Sequence, residues 1–145
     1  MRPVLLILLL APTASAQMFG TWTLNPALSN GQGSLERTYT LRLEPHPEGE
    51  RITIWRVTAK GSSTEMYILR MDGKDHPYTI SEEFDTIAAR KLPDGSLEEV
   101  AKKGGQVVVK SRRYLSADGN QLIQEYQWIG RPGRRATLVL ERAAR

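Results

Sequence analysis

The chain has 145 residues, no cysteine, 20 Lys+Arg against 16 Asp+Glu, and 40% hydrophobic residues. That length supports one modest core and one domain, which excludes a two-domain enzyme. The missing thiol excludes a disulfide framework, a cysteine-ligated zinc site, a cysteine nucleophile and a lipid-modified cysteine.

The first element is an address. Met1-Arg2 gives a positive start, Val4 to Ala11 is an apolar run between Pro3 and Pro12, and Ala14-Ser15-Ala16 presents the small residues that signal peptidase reads. The run is too short for a bilayer, which takes roughly 20 apolar residues. Residues 1–16 therefore read as a signal peptide cleaved before Gln17, and residues 17–145 as one exported domain in the periplasm or outside the cell. Stability must then come from packing, which favours a closed, regular fold.

Turn chemistry recurs along that domain at Glu48-Gly49, Gly61-Ser62, Asp72-Gly73, Asp94-Gly95, Gly104-Gly105, Asp118-Gly119 and Gly130 to Gly133. Between these turns stand β-branched, aromatic or alternating runs. They predict strands near 19–24, 36–44, 51–59, 64–71, 76–80, 85–92, 96–103, 106–115, 121–129 and 134–142. Phe84, Ile87, Ala88 and Leu92 also fit a helix behind Ser81, so that segment has two readings. Residues 25–34 are the one long loop. The expected fold is all-β: an antiparallel up-and-down meander of eight to ten strands, closed into a barrel so that no sticky edges remain. An open sandwich is the competing architecture. A membrane-spanning barrel is disfavoured, because Arg42, Arg56, Arg70, Lys110 and Arg112 interrupt the faces that would meet lipid.

Gly20-Thr21-Trp22 opens the first strand and Glu141-Arg142 ends the last. This arrangement resembles calycin barrels, the lipocalins and fatty-acid-binding proteins, in which an Arg near the end packs over the Trp of a Gly-x-Trp. Gly20 to Pro26, Met71 to Pro77, Ser111-Arg112-Arg113 and Ser116 to Gly119 are similar to small exported bacterial lipocalin-like proteins of unassigned function. The resemblance implies barrel closure by Gly20, Trp22 and Arg142. The chain lacks the lipocalin Thr-Asp-Tyr motif, a disulfide and a helix-turn-helix lid. Strand alternation independently puts Leu138, Leu140 and Arg142 on one face, and Trp22 with Leu24 on another. A solvated terminal charge is the other reading of Arg142.

Chemistry-bearing motifs are sparse. His46 and His76, each followed by proline in a predicted turn, make a poor metal site, so no metal and no cofactor are expected. There is no Gly-x-Ser-x-Gly elbow, phosphate loop or dinucleotide fingerprint, and no enzyme activity is expected. Glu82-Glu83-Asp85 and Glu98-Glu99 read as solvated turn groups. If Arg56, Arg70, Lys110 and Arg112 face water, then Trp55 and Val57, Tyr67 and Leu69, and Ser111 and Arg113 point inward, with Gln124, Tyr126 and Trp128 sharing a face. Trp55, Tyr67, Arg113, Tyr126 and Trp128 are the lumen candidates, whether as ligand contacts or as filled core. An inward Arg113 suits a ligand carboxylate, although parity fixes only that Arg112 and Arg113 oppose each other.

Up to residue 100 the mature chain carries 9 basic and 13 acidic groups, and beyond it 10 basic and 3 acidic. The basic half suits weak contact with an anionic envelope surface, but pairing of opposite charges around a closed barrel is the favoured account. Nucleic-acid binding is not expected. The leading expectation is a monomeric binding protein with a small hydrophobic or carboxylate-bearing ligand in its barrel. The alternative is a filled-barrel interaction module of the envelope. A barrel isomerase is a third reading that needs titratable groups converging inside the lumen.

Overall fold

The computed structural model describes residues 17–31 and 38–144. The expected signal peptide, residues 1–16, and the end of the long loop lie outside the described residues. Ten strands follow: β1 (Gly20–Leu24), β2 (Thr38–His46), β3 (Gly49–Thr58), β4 (Gly61–Leu69), β5 (His76–Pro77), β6 (Thr86–Lys91), β7 (Leu97–Lys103), β8 (Gln106–Leu115), β9 (Gln121–Trp128) and β10 (Arg135–Arg142). Each lies within three residues of its expected bounds, the largest differences being the earlier start of β4 and the two-residue length of β5. The segment with two readings forms β6, because Ile87 and Ala89 are buried with the period of two that a strand imposes.

All ten strands belong to one antiparallel sheet in the order β4-β3-β2-β1-β10-β9-β8-β7-β6-β5. First and last strands are joined, with Trp22 opposite Arg142 and Leu24 opposite Leu140. The sheet curls into a barrel, and among the described residues no ladder joins β4 to β5 or β6. Side chains bridge that seam instead: the Tyr67 and Tyr78 rings meet edge to face at 5.0 Å, and an Arg70 Nη1 lies 3.2 Å from His76 Nδ1. Arg70 can only donate in that contact, so Nδ1 accepts and Nε2–H is left to donate to Asp72 at 2.9 Å.

One end of the barrel is solid. Register sets Leu43 opposite Ile52, Leu140 opposite Leu122 and Trp22 opposite Leu41, so that inward side chains stack in apolar layers. Trp22, Leu41, Leu43, Ile52, Leu69, Leu122 and Leu140 are the largest fully buried side chains, and burial of each aliphatic one contributes about 1.5–3 kcal/mol. At the β2–β3 hairpin Gly49 has φ +150°, and an added Cβ would overlap the Leu69 carbonyl oxygen. Gly49→Ala is therefore expected to cost about 1–3 kcal/mol in thermal unfolding. An unchanged midpoint would mean that the hairpin relaxes freely.

Charges pair between strands as closure requires. Arg90 meets Glu98, Lys102 meets Asp75 and Arg112 meets Asp94, at 2.9, 2.8 and 2.5 Å. The last two pairs join the basic C-terminal part of the chain to the acidic N-terminal part. These pairs are solvent-facing and each is worth well under about 1 kcal/mol.

Candidate functional site

Above the solid end the barrel is hollow. A cavity of about 560 Å³ lies inside it, bounded by β2, β3, β4 and β6 to β10 and by residues 78–84 between β5 and β6. Its walls follow from strand parity and register. On β8, Val109, Ser111 and Arg113 face in. Ser111 stands opposite Glu99 of β7 and Tyr126 of β9, and Arg113 stands opposite Gln124. On β3, Ile52, Ile54 and Arg56 face in, beside Glu65 and Tyr67 of β4.

Two ion pairs line this interior, one across it and one between neighbouring strands. Arg113 Nη2 donates to Glu50 Oε1 at 2.5 Å from the far side of the barrel, and the two side chains are only 4% and 6% exposed. Arg56 donates to Glu65 at 2.6 Å, with its guanidinium 5.4 Å from the Tyr39 ring centroid. Glu99 receives a hydrogen bond from the Ser111 hydroxyl at 3.3 Å. Burial pushes the Glu99 carboxyl up, the Arg113 charge pulls it back, and Glu50 adds to the rise. Burial also holds the Tyr67 and Tyr126 phenols well above their ordinary value and pushes Tyr78 up to about 12, so all three are neutral donors at physiological pH. The Tyr126 hydroxyl donates to Gln124 Oε1 at 3.2 Å. Arg113 Nε and Trp128 Nε1 are buried donors with no acceptor among the described residues.

Of the five lumen candidates, the structure brings Tyr67, Arg113, Tyr126 and Trp128 to the cavity wall. Arg112 takes the outer face opposite Arg113 and pairs with Asp94. Trp55 is a correction: it is 39% exposed on the outer face of β3, as is Val57. Arg56 is not on the outer face. It lies with Ile52 and Ile54 on the inner face at the cavity wall, 30% exposed and paired with Glu65 of the neighbouring strand. Glu99 is likewise not a solvated turn residue. It lies within β7, where its neighbour Glu98 points out, to Arg90. Arg113 is already engaged by Glu50, which alters the expectation that a ligand carboxylate would take it.

The closure residues meet at the solid end. The Arg142 guanidinium carbon lies 4.2 Å from the Trp22 ring centroid, and Arg142 also donates to the Phe19 and Gln17 carbonyl oxygens at 3.4 and 2.5 Å. Trp22 Nε1 donates to the Met18 carbonyl at 2.8 Å. Gly20, at φ +128°, lets the backbone run beneath Arg142.

Sequence reasoning missed Glu50, Arg56, Glu65 and Glu99. The available signal was at the start of β3, where Arg51 and Thr53 share the face of Trp55 and mark it as outer. Nothing local marks Glu99, since its burial depends on the phase of β7 against β8.

No protein-family model matches the chain, and comparison with curated proteins gives no match. Solved structures do match over nearly the whole described domain. A Schistosoma mansoni fatty acid binding protein in complex with arachidonic acid superposes with a TM-score of 0.62 at 10% identity, over 90% of this chain and 99% of that one. As-p18, an extracellular fatty acid binding protein, gives 0.60 at 13% identity, over 91% and 100%. The fatty-acid-binding protein of Manduca sexta gives 0.56 at 12% identity, over 85% and 98%. At these identities the likeness is one of fold: the chain is an antiparallel β-barrel similar in fold to fatty-acid-binding proteins.

Proposed function

We propose that the chain is an exported carrier that holds a small apolar or amphipathic molecule inside its barrel. The cavity carries this reading. At about 560 Å³ it falls within the range of small-molecule sites, and its wall combines aromatic rings with a few polar groups, the composition such sites need. A filled interaction module would have packed that space with side chains. The similar structures are described as fatty acid binding proteins, one of them extracellular, which supports a hydrophobic cargo. The N-terminal sixteen residues support export to the periplasm or beyond, with cleavage near Ala16/Gln17. No helix among the described residues is long and apolar enough to cross a membrane.

Native mass spectrometry of protein purified from its own compartment tests the proposal. The expected spectrum exceeds the polypeptide mass by one small molecule, released on denaturation. Empty spectra, together with no thermal shift on adding lipids, would overturn it.

The convergence of Glu99, Arg113 and Tyr67 favours a second reading, a lumenal isomerase with Glu99 as base. Recovery of the bound molecule unchanged after long incubation supports the carrier, and conversion to an isomer supports the enzyme.

A further inference from the structure

The cavity wall is acidic. Among the described residues it carries Glu65, Glu82, Glu83 and Glu99 against Arg56 and Arg113, and Glu50 stands behind Arg113. Both guanidiniums are engaged, Arg56 by Glu65 and Arg113 by Glu50. Glu99 is the interior carboxyl left over: among the described residues it makes no ion pair and receives a single hydrogen bond, from Ser111. A buried carboxylate on a cavity wall is relieved either by taking a proton or by meeting a cation.

We propose that the cavity, on the carrier reading above, selects amphipathic molecules whose polar end is an alkylammonium seated on Glu99, rather than the carboxylate that an inward Arg113 by itself suggests. An entering carboxylate would be the third anion around one guanidinium, after Glu50 and Glu99. An ammonium instead completes the charge balance and keeps its proton at neutral pH as a lysine side chain does. The neutral rings of Tyr67 and Tyr126 border the same space and attract a cation through their faces. Glu82 and Glu83, exposed on the segment between β5 and β6, extend the negative field to the cavity edge and draw cations towards it. The spare Arg113 Nε–H takes a neutral oxygen, such as a hydroxyl beside the amine, without added charge.

The ammonium requires Glu99 ionised. Glu99 is faced by Arg113 and Ser111 from β8, Glu50 from β3, Tyr67 from β4, Tyr126 from β9 and Tyr78 from the segment between β5 and β6. Burial raises its carboxyl despite Arg113, so amine affinity falls on acidification, beginning above the ordinary carboxylate range.

Dodecylamine, dodecanol and dodecanoate, each below its micellar concentration, are titrated into the protein by calorimetry at neutral pH. The amine is expected to bind about tenfold or more tighter than the alcohol, and the acid more weakly than either. Glu99→Gln is expected to remove the advantage of the amine over the alcohol. Dodecanoate binding as tightly as the amine in the native protein overturns the head-group assignment but leaves the carrier standing, and so does an amine-to-alcohol ratio that Glu99→Gln does not alter. Failure of all three to bind overturns both.

Discussion

Arg113→Met is expected to lower stability by about 3–5 kcal/mol, because it strands Glu50, only 6% exposed, without its counter-charge. The loss is one of pairing, not of packing, since methionine fills much of the space of the arginine stem. Glu50→Leu alone should cost a comparable amount by leaving the guanidinium unpaired. The double variant, Glu50→Leu with Arg113→Met, should recover most of the loss or exceed the native protein, since an apolar pair of similar volume avoids desolvating two ions. Urea unfolding of the four proteins gives the coupling energy directly. Single variants that each lose less than about 1 kcal/mol would show that water reaches the pair and screens it. A recovered double variant would also mark the ion pair as kept for the cavity and not for the fold.

Trp22→Ala is expected to be the most damaging change at the solid end, costing about 3–5 kcal/mol. The indole is fully buried and opposes Leu41 on one side and Arg142 on the other. It also satisfies the Met18 carbonyl, which ties the chain entering β1 to the barrel floor. Arg142→Gln should cost about 0.5–1 kcal/mol through the ring contact, because the guanidinium is solvent-exposed. Made in a Trp22→Leu background, the same change should cost much less. Thermal unfolding of that cycle gives the coupling between Arg142 and the indole, including the indole's hold, through the Met18 carbonyl, on the segment whose Gln17 and Phe19 carbonyls Arg142 also binds. Equal costs in the two backgrounds would sink the role assigned to the ring.

The strands and their order were legible because turn chemistry is local: Asp72-Gly73, Asp94-Gly95 and Asp118-Gly119 each specify a reversal from two neighbouring residues. The closure of β1 on β10 was expected from the resemblance that Gly20, Trp22 and Arg142 carry, and the register sets Trp22 opposite Arg142. The inward faces of β4, β8 and β9 followed from alternation, and Tyr67, Arg113, Tyr126 and Trp128 came with them. β3 failed because charge was taken to mean solvent. Its two faces are both rich in apolar residues, Ile52 and Ile54 against Trp55 and Val57, so Arg56 decided the phase. An inward charge is stable only with a partner, and Glu65 becomes one solely through the β3–β4 hairpin register. Glu50 and Arg113 are 63 residues apart in the chain, and no spacing rule connects them. The acidic character of the lumen therefore emerges only when the barrel is closed.

Ten strands in a fully bonded ring would share ten ladders, and among the described residues this barrel has nine. The missing one lies where Tyr67 meets Tyr78 and Arg70 meets His76. Parting the two edges there sacrifices a ring contact and a side-chain hydrogen bond but not a single backbone pairing. Among the described residues the wall is thus held along one line by side chains and elsewhere by backbone ladders, so the strength of that line can be altered by substitution without disturbing the register of the sheet.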